Sequence, residues 1–245
     1  MVAKNYYESQ KSKMLKGFDK TANLIKDHVA TRYGIDFADN LHREARQEYE
    51  VLVPLIPYIE ERRGAALNSF LLITAQELAF YKAMKQHGKS ASESWEICHE
   101  ALKLTLRRMP KIKRWLLGRM IYSGILARRL QKLAEMGRPL GFGDFEIKYV
   151  AGDGKDFDVG IDYVKCGNYN FVIEQGEKEF APYVCMSDIA LSNAMGWGLI
   201  RTETLADGCK RCDFRFKKGG QTRISSKTPE VQVTIEKIAR KESCY

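Results

Sequence analysis

The chain has 245 residues, of which 44% are hydrophobic and 29% are charged. This is the composition of a globular protein that buries a sizeable core, and it argues against long disordered segments. Polar residues interrupt the most apolar stretches, 64–84 and 115–127, and the first 20 residues lack a secretory signal. We therefore expect no membrane-spanning segment and a cytoplasmic protein whose six cysteines are thiols.

The net charge of +9 comes from one part of the chain. Residues 103–132, the basic segment, hold ten basic side chains and no acid, whereas the rest of the chain holds 30 basic and 31 acidic residues. Apolar residues recur at helical spacing in this segment, which favours the solvated face of an amphipathic helix. Attraction of an anionic ligand or partner is the alternative. Because no nucleic-acid-binding motif accompanies the charge, we expect no tight nucleic-acid binding.

The first 137 residues have the periodicity of helices. Glycine or proline follows most of the apolar-periodic runs, and Ser90 precedes Glu93 by three residues, the spacing of a capping box. The expected helices cover 11–33, 40–52, 60–86 and 90–108, and a basic helix follows Pro110 and ends at Gly137.

The period changes after Gly143, where alternating residues predict strands. Two hairpins are expected, 145–149 with 157–164 and 199–206 with 211–217, together with helices over 168–180, 182–195 and 229–241. This order predicts an α+β fold in which an N-terminal helical bundle packs with a C-terminal four-stranded antiparallel sheet and helices. We expect a helical domain over 1–137 and an α+β domain over 138–245.

The sequence contains no HExxH, GxSxG or Walker motif and no GxGxxG that opens a helix. Cysteines are more informative, because three expected elements carry thiols toward one end of the sheet. Cys166 ends a strand, Cys185 begins a helix, and Cys212 lies at the second hairpin. We expect these three sulfurs to converge on one pocket.

Cys185 and Asp188 are three residues apart, which places both on one face of their expected helix. The positive end of a helix lowers the pKa of a thiol, and a neighbouring carboxyl can donate or take a proton. Burial in the core is the alternative for any free cysteine, and the phenylalanines beside Cys212 favour it there. Cys209 and Cys212 have the spacing of half a zinc site, but no second close pair accompanies them.

A resemblance to a known family adds to these observations. The run APYVCMSD at 181–188, the run GLIRTETLADG at 198–208 and the run CDFRF at 212–216 resemble the L-2-amino-thiazoline-4-carboxylic acid hydrolase family. That resemblance implies a hydrolase that opens the ring of a small cyclic amidine. The family's recurring residues are carried by Cys166, Cys185, Asp188, Thr204, Gly208, Cys212 and Asp213.

We assign roles to these residues on that basis. Cys185 is the expected nucleophile, Asp188 the proton donor, and Cys212 the group that polarises or positions the substrate. The expected substrate-binding residues are Cys166, Thr204 and Asp213. In a second version of this hypothesis, a metal ion held by Cys166, Cys185 and Cys212 activates water. The additional Cys209 leaves open whether a metal is bound.

Two other functions compete with this hypothesis. A Cys-x-x-Asp pair followed by a later cysteine is similar to the constellation of organomercurial lyases, which predicts a thiol-based lyase. A non-catalytic protein that binds a small or metal-bearing ligand is the other alternative. The partner that we expect is a small molecule, without nucleic acid or membrane.

Overall fold

The computed structural model describes residues 6–123, 132, 135 and 140–243. The chain divides into two compact units. The helical unit comprises residues up to Thr105 together with Gly167–Val184, and the sheet unit comprises Leu106–Cys166 together with residues from Cys185 onward. The domain boundary expected between residues 137 and 138 lies outside the described residues. The basic helix expected to continue up to Gly137 instead ends at Met120, where a turn follows at residues 121–122.

The helices of the described residues follow the predicted order, with shifted boundaries. They are α1 Lys11–Tyr33, α2 Ile35–Leu52, α3 Ala65–Gln86, α4 Ala91–Arg108, α5 Lys111–Met120, α6 Gly167–Glu174, α7 Ala181–Val184, α8 Asp188–Met195 and α9 Pro229–Ser243. Gly34 separates α1 from α2 with a φ of 96°, a value that glycine adopts without strain. Among the helices that the structure describes, none is long and apolar enough to cross a membrane.

Aromatic stacking builds the core of the helical unit. The ring of Phe18 on α1 stacks on Tyr49 of α2 and Phe80 of α3, with centroid distances of 4.9 and 5.0 Å. The capping box that opens α4 is confirmed. The amide of Glu93 donates to the Ser90 hydroxyl at 3.2 Å, and the amide of Ser90 donates to the Glu93 carboxylate at 3.1 Å.

The sheet unit contains a mixed six-stranded sheet. Its strands are β1 Leu140–Phe142, β2 Phe145–Ala151, β3 Val159–Lys165, β4 Leu199–Arg201, β5 Cys212–Phe216 and β6 Arg223–Ile224. Their order is β1-β2-β3-β5-β4-β6, and neighbours are antiparallel except for the parallel pair β4–β6.

The α+β class with N-terminal helices is confirmed, whereas the four-stranded antiparallel sheet is wrong in strand number and direction. Both predicted hairpins form, as β2–β3 and β4–β5. The strands that the sequence missed, β1 and β6, have three and two residues. Segments of that length are too short to show the alternation that identifies a strand.

One face of the sheet carries the residues that matter for the site. The register pairs Tyr163 with Cys212 and Ile161 with Phe214, so these four side chains share a face. Arg201 lies two residues after Leu199, which pairs with Phe216, and therefore belongs to the same face.

Helix α5 approaches α8 closely at a single glycine. A Cβ atom added at Gly118 would lie 1.9 Å from the carbonyl oxygen of Met195, at the end of α8. The obstacle is backbone, which cannot move aside as a flexible side chain can. The two helices therefore pack through a contact that only glycine permits.

We expect Gly118→Ala to lower the free energy of unfolding by about 1–3 kcal/mol, because the added methyl group forces the two helices apart. Gly17 is the matched control, since it lies within α1 and a Cβ there meets nothing within 4 Å. Gly17→Ala should be neutral or stabilising by up to about 1 kcal/mol. Urea denaturation followed by circular dichroism measures both, and equal stability of the two variants would contradict the packing described.

Candidate active site

Cys185 and Asp188 lie at an interruption between two helices. Helix α7 ends at Val184, Cys185–Ser187 form a 3-10 turn, and α8 begins at Asp188. The single helix expected over 182–195 is therefore interrupted at Cys185–Ser187, directly before Asp188. Cys185 follows a helix end instead of lying within the first turn of a helix, and so lacks the position that was expected to favour its thiolate.

Arg201 on β4 connects these two residues, and sequence reasoning missed it. Its side chain is only 2% exposed. The guanidinium Nη1 donates to the main-chain carbonyl of Cys185 at 2.7 Å and forms an ion pair with the carboxylate of Asp188. The guanidinium also lies over the ring of Phe214, 5.5 Å from its centroid. One buried cation thus holds the Cys185 backbone and the Asp188 side chain together.

The carboxyl of Asp188 has a pKa suited to proton transfer. Burial raises this pKa to about 6, although the charge of Arg201 acts in the opposite direction. The side chain nevertheless keeps 25% of its surface exposed, so a small molecule can reach it. A carboxyl with such a pKa can accept a proton and return it near neutral pH.

Both nearby thiols are held in the protonated form. Burial raises the pKa of Cys185 well above its usual value, the neighbouring Cys212 raises it further, and Arg201 opposes this. Burial likewise raises the pKa of Cys212 to about 12, although the amide of Leu205 donates to its sulfur at 3.3 Å. The expectation of a lowered pKa at Cys185 is therefore wrong, because loss of water outweighs the nearby positive charge.

The electrostatic neighbours show which predicted residues the fold brings together. Cys212 and Asp188 are among the groups that raise the pKa of Cys185, and Cys166 is among the groups that raise the pKa of Cys212. Burial raises the pKa of the Tyr163 hydroxyl, and Cys166, Asp188, Tyr149 and Cys212 raise it further, so these groups are its electrostatic neighbours. We call the group the thiol–carboxylate cluster: Tyr163, Cys166, Cys185, Asp188, Arg201 and Cys212.

Two of the expected substrate-binding residues have partners inside a loop. The Thr204 hydroxyl accepts from the amide of Asp207 at 3.0 Å and donates to its carboxylate at 2.9 Å. The Asp213 carboxylate accepts from the amides of Thr202 and Glu203 at 2.8 and 2.6 Å. These bonds shape the loop between β4 and β5, which delivers the Leu205 amide to the sulfur of Cys212. Contact of Thr204 or Asp213 with substrate stays a prediction.

Three further cysteines, Cys98, Cys209 and Cys244, are not part of this cluster. The side chain of Cys209 interacts with Lys227 and raises the pKa of that lysine. Cys98 is buried in the helical unit, and Cys244 lies outside the described residues. Among the described residues, no three histidine, cysteine, aspartate or glutamate side chains are arranged to hold a metal ion. This arrangement does not support a metal held by Cys166, Cys185 and Cys212.

Comparison with known protein families identifies the family of this chain. The model for L-2-amino-thiazoline-4-carboxylic acid hydrolase matches residues 70–216, which is more than half of the chain and includes the whole thiol–carboxylate cluster. The chain belongs to this family. No curated protein and no solved structure matches it. Membership confirms the resemblance seen in the sequence and indicates a hydrolase.

The cluster contains both partly exposed and fully enclosed groups. Cys185 is half-buried, and the Asp188 side chain keeps 25% of its surface exposed. Arg201 is enclosed and acts through Asp188 and the Cys185 backbone. The sequence offered one signal for Arg201, its place in the family-like run at 198–208.

We expect slow alkylation of Cys185 by iodoacetamide at neutral pH, because the reactive thiolate is scarce when the pKa is raised. The rate at pH 7 should be at least about tenfold below that of an unperturbed free thiol and should still rise above pH 9. Peptide mass spectrometry assigns the modified residue. Cys98 is the internal control, since its labelling reports loss of the fold. A rate at Cys185 that levels off below pH 8 would contradict the raised pKa.

Proposed function

We propose that this protein hydrolyses a small cyclic amidine of the thiazoline class, opening its ring with Cys185 and Asp188. The observation that carries the proposal is a half-buried thiol beside a carboxyl of pKa about 6, joined through one buried arginine. Family membership supports a hydrolase. The bond that is broken and the roles of the residues are our inference.

In the first step Asp188 acts as a base toward Cys185. The thiol is protonated at neutral pH, so its proton must leave as the sulfur bonds to the amidine carbon. The π electrons of the carbon–nitrogen double bond pass to the nitrogen as this bond forms. A carboxylate of pKa about 6 is a stronger base than an ordinary aspartate and can take that proton. Arg201 stabilises the carboxylate before the transfer and keeps it beside Cys185.

In the second step the ring opens and Asp188 returns the proton. The electron pair on nitrogen re-forms the carbon–nitrogen double bond as the bond between the amidine carbon and the ring sulfur breaks. The leaving sulfur takes the proton, and the carbon stays bound to Cys185. Water then attacks this carbon and the Cys185 sulfur departs with a proton. The products are a free thiol on the substrate and a carbamoyl group, with one water consumed and the enzyme thiol restored.

The other residues of the cluster hold and polarise the substrate in this proposal. Cys212 has a pKa of about 12, so it stays protonated and can donate its S–H to a ring heteroatom. Cys166 and Tyr163 are electrostatic neighbours of each other and of Cys212. Thr204 and Asp213 act through the loop that supports Cys212.

A thiol-based lyase is the second candidate, because Cys185 and Cys212 are neighbours beside a carboxyl that can carry a proton. Two thiols would hold a soft metal while Asp188 protonated the departing carbon. Screening cyclic amidines and thiazoline carboxylates beside an organomercurial compound separates the two candidates. Release of a thiol from the former supports the hydrolase, and release of a hydrocarbon from the latter supports the lyase. A non-catalytic binding protein would retain ligand without either product.

We expect Cys185→Ser to abolish turnover while the fold remains intact, because a hydroxyl is far harder to deprotonate than a thiol. Asp188→Asn should slow turnover by roughly 10²–10⁴-fold, since the amide carries no transferable proton. Cys209→Ser is the matched control and should keep near-normal activity, because Cys209 interacts with Lys227 instead of the cluster. Thiol release and carbamoyl product measure activity, with circular dichroism confirming the fold. Undiminished activity in Cys185→Ser would end the nucleophile proposal.

We expect kcat/KM to fall as the pH drops through about 6, because protonation of Asp188 removes the base. Arg201 lowers this pKa, so Arg201→Gln should move the acid limb to higher pH, whereas Arg201→Lys keeps a positive charge and should move it less. The pH dependence of kcat/KM for the three proteins is the measurement. A lower rate with an unmoved limb in Arg201→Gln would assign this arginine a purely structural role.

A further inference from the structure

Helix α5 has an apolar face that points away from its packing partner. Four side chains on it are largely exposed: Ile112 at 63%, Trp115 at 53%, Leu116 at 53% and Met120 at 59%. Their spacing of three, four and eight residues places them along one side of the helix. We call this set the α5 outer face.

Packing on the opposite side of α5 explains why the α5 outer face is exposed. Gly118 is buried and lies against the end of α8, which leaves no room to turn α5 about its axis. Leu117 and Ile121, on the inner side, are partly buried. The exposure of the outer face therefore follows from the packing of the helix.

Positive charge surrounds the α5 outer face. Lys111 and Lys113 are exposed at its edges, and the guanidinium of Arg119 lies over the ring of Trp115, 4.9 Å from its centroid. The basic segment that contains α5 holds no acidic residue. An occupant of this face must offer apolar volume and negative charge together.

We propose that the α5 outer face binds the surface of an anionic lipid bilayer. A second copy of this chain would bring two basic segments together, which like-charge repulsion opposes. A duplex nucleic acid offers phosphates but little apolar volume for Ile112, Leu116 and Met120. The boundary between headgroups and acyl chains offers both, and a tryptophan flanked by lysine and arginine is typical of helices that lie in it.

The geometry defines how the helix would lie. With α5 parallel to the surface, the apolar side chains enter the acyl boundary while Lys111, Lys113 and Arg119 extend toward lipid phosphates. Ten residues give a helix of about 15 Å, so the attachment is weak and reversible. The expectation of no membrane partner considered only spanning segments and did not include a helix on the surface.

Co-sedimentation of the full chain with lipid vesicles tests the proposal. Binding should be seen with vesicles containing about one-third phosphatidylglycerol, be weak with phosphatidylcholine alone, and fall at about 0.5 M salt. Bound protein should show a blue shift of tryptophan fluorescence that Trp115→Phe removes, since Trp95 is fully buried and Trp197 packs against Phe216.

A matched pair of variants identifies the surface. The double variant Ile112→Glu/Leu116→Glu should bind anionic vesicles at least about tenfold more weakly. Val233→Glu is the control, because Val233 is 66% exposed on α9, and it should bind as the parent does. Thermal unfolding checks that both variants fold, and Lys113→Gln provides a second variant with a milder loss.

Three results would overturn the proposal. They are absence of binding to anionic vesicles, equal binding by the double variant and the parent, and a dimer in light scattering that only the double variant loses, without vesicle binding. The last result would assign the face to a second copy of the chain.

Discussion

The candidate site depends on one buried cation, the guanidinium of Arg201. A charge enclosed to this extent is tolerated only when oxygen ligands replace the water that it has lost. Here the ligands are the Asp188 carboxylate and the Cys185 carbonyl, so the requirement to satisfy Arg201 also fixes the main chain at the proposed nucleophile. Removal of either partner would leave a buried charge without sufficient compensation. The contacts that compensate the buried charge of Arg201 are therefore the same contacts that position Cys185 and Asp188 for the proposed reaction.

The same burial sets the proton chemistry. Loss of water raises the pKa of the thiols and of Asp188 together, and Arg201 only moderates the change. A cluster of this kind does not hold a ready thiolate and must deprotonate the sulfur during the reaction. This differs from cysteine enzymes that activate the thiol with a helix end or a nearby cation.

The sequence predicted the local relationships and missed those that depend on the sheet. The capping box and both hairpins follow from neighbours in the chain, whereas the single helix expected to place Cys185 and Asp188 on one face is broken between them. Tyr163 and Arg201 join the cluster only through the register of β3, β5 and β4, which pattern alone does not specify. The direction of the Cys185 pKa depends on burial, and the outward side of α5 depends on its contact with α8.

The central position of β5 has a consequence for insertions and deletions. This strand lies between β3, which carries Tyr163, and β4, which carries Arg201. Since side chains alternate along a strand, one residue added or lost within β5 would turn Cys212 to the opposite face. The loop before β5 can change length without this effect only while it still supplies the Leu205 amide. Homologous chains should therefore vary in length outside β5 and keep the strand itself uninterrupted.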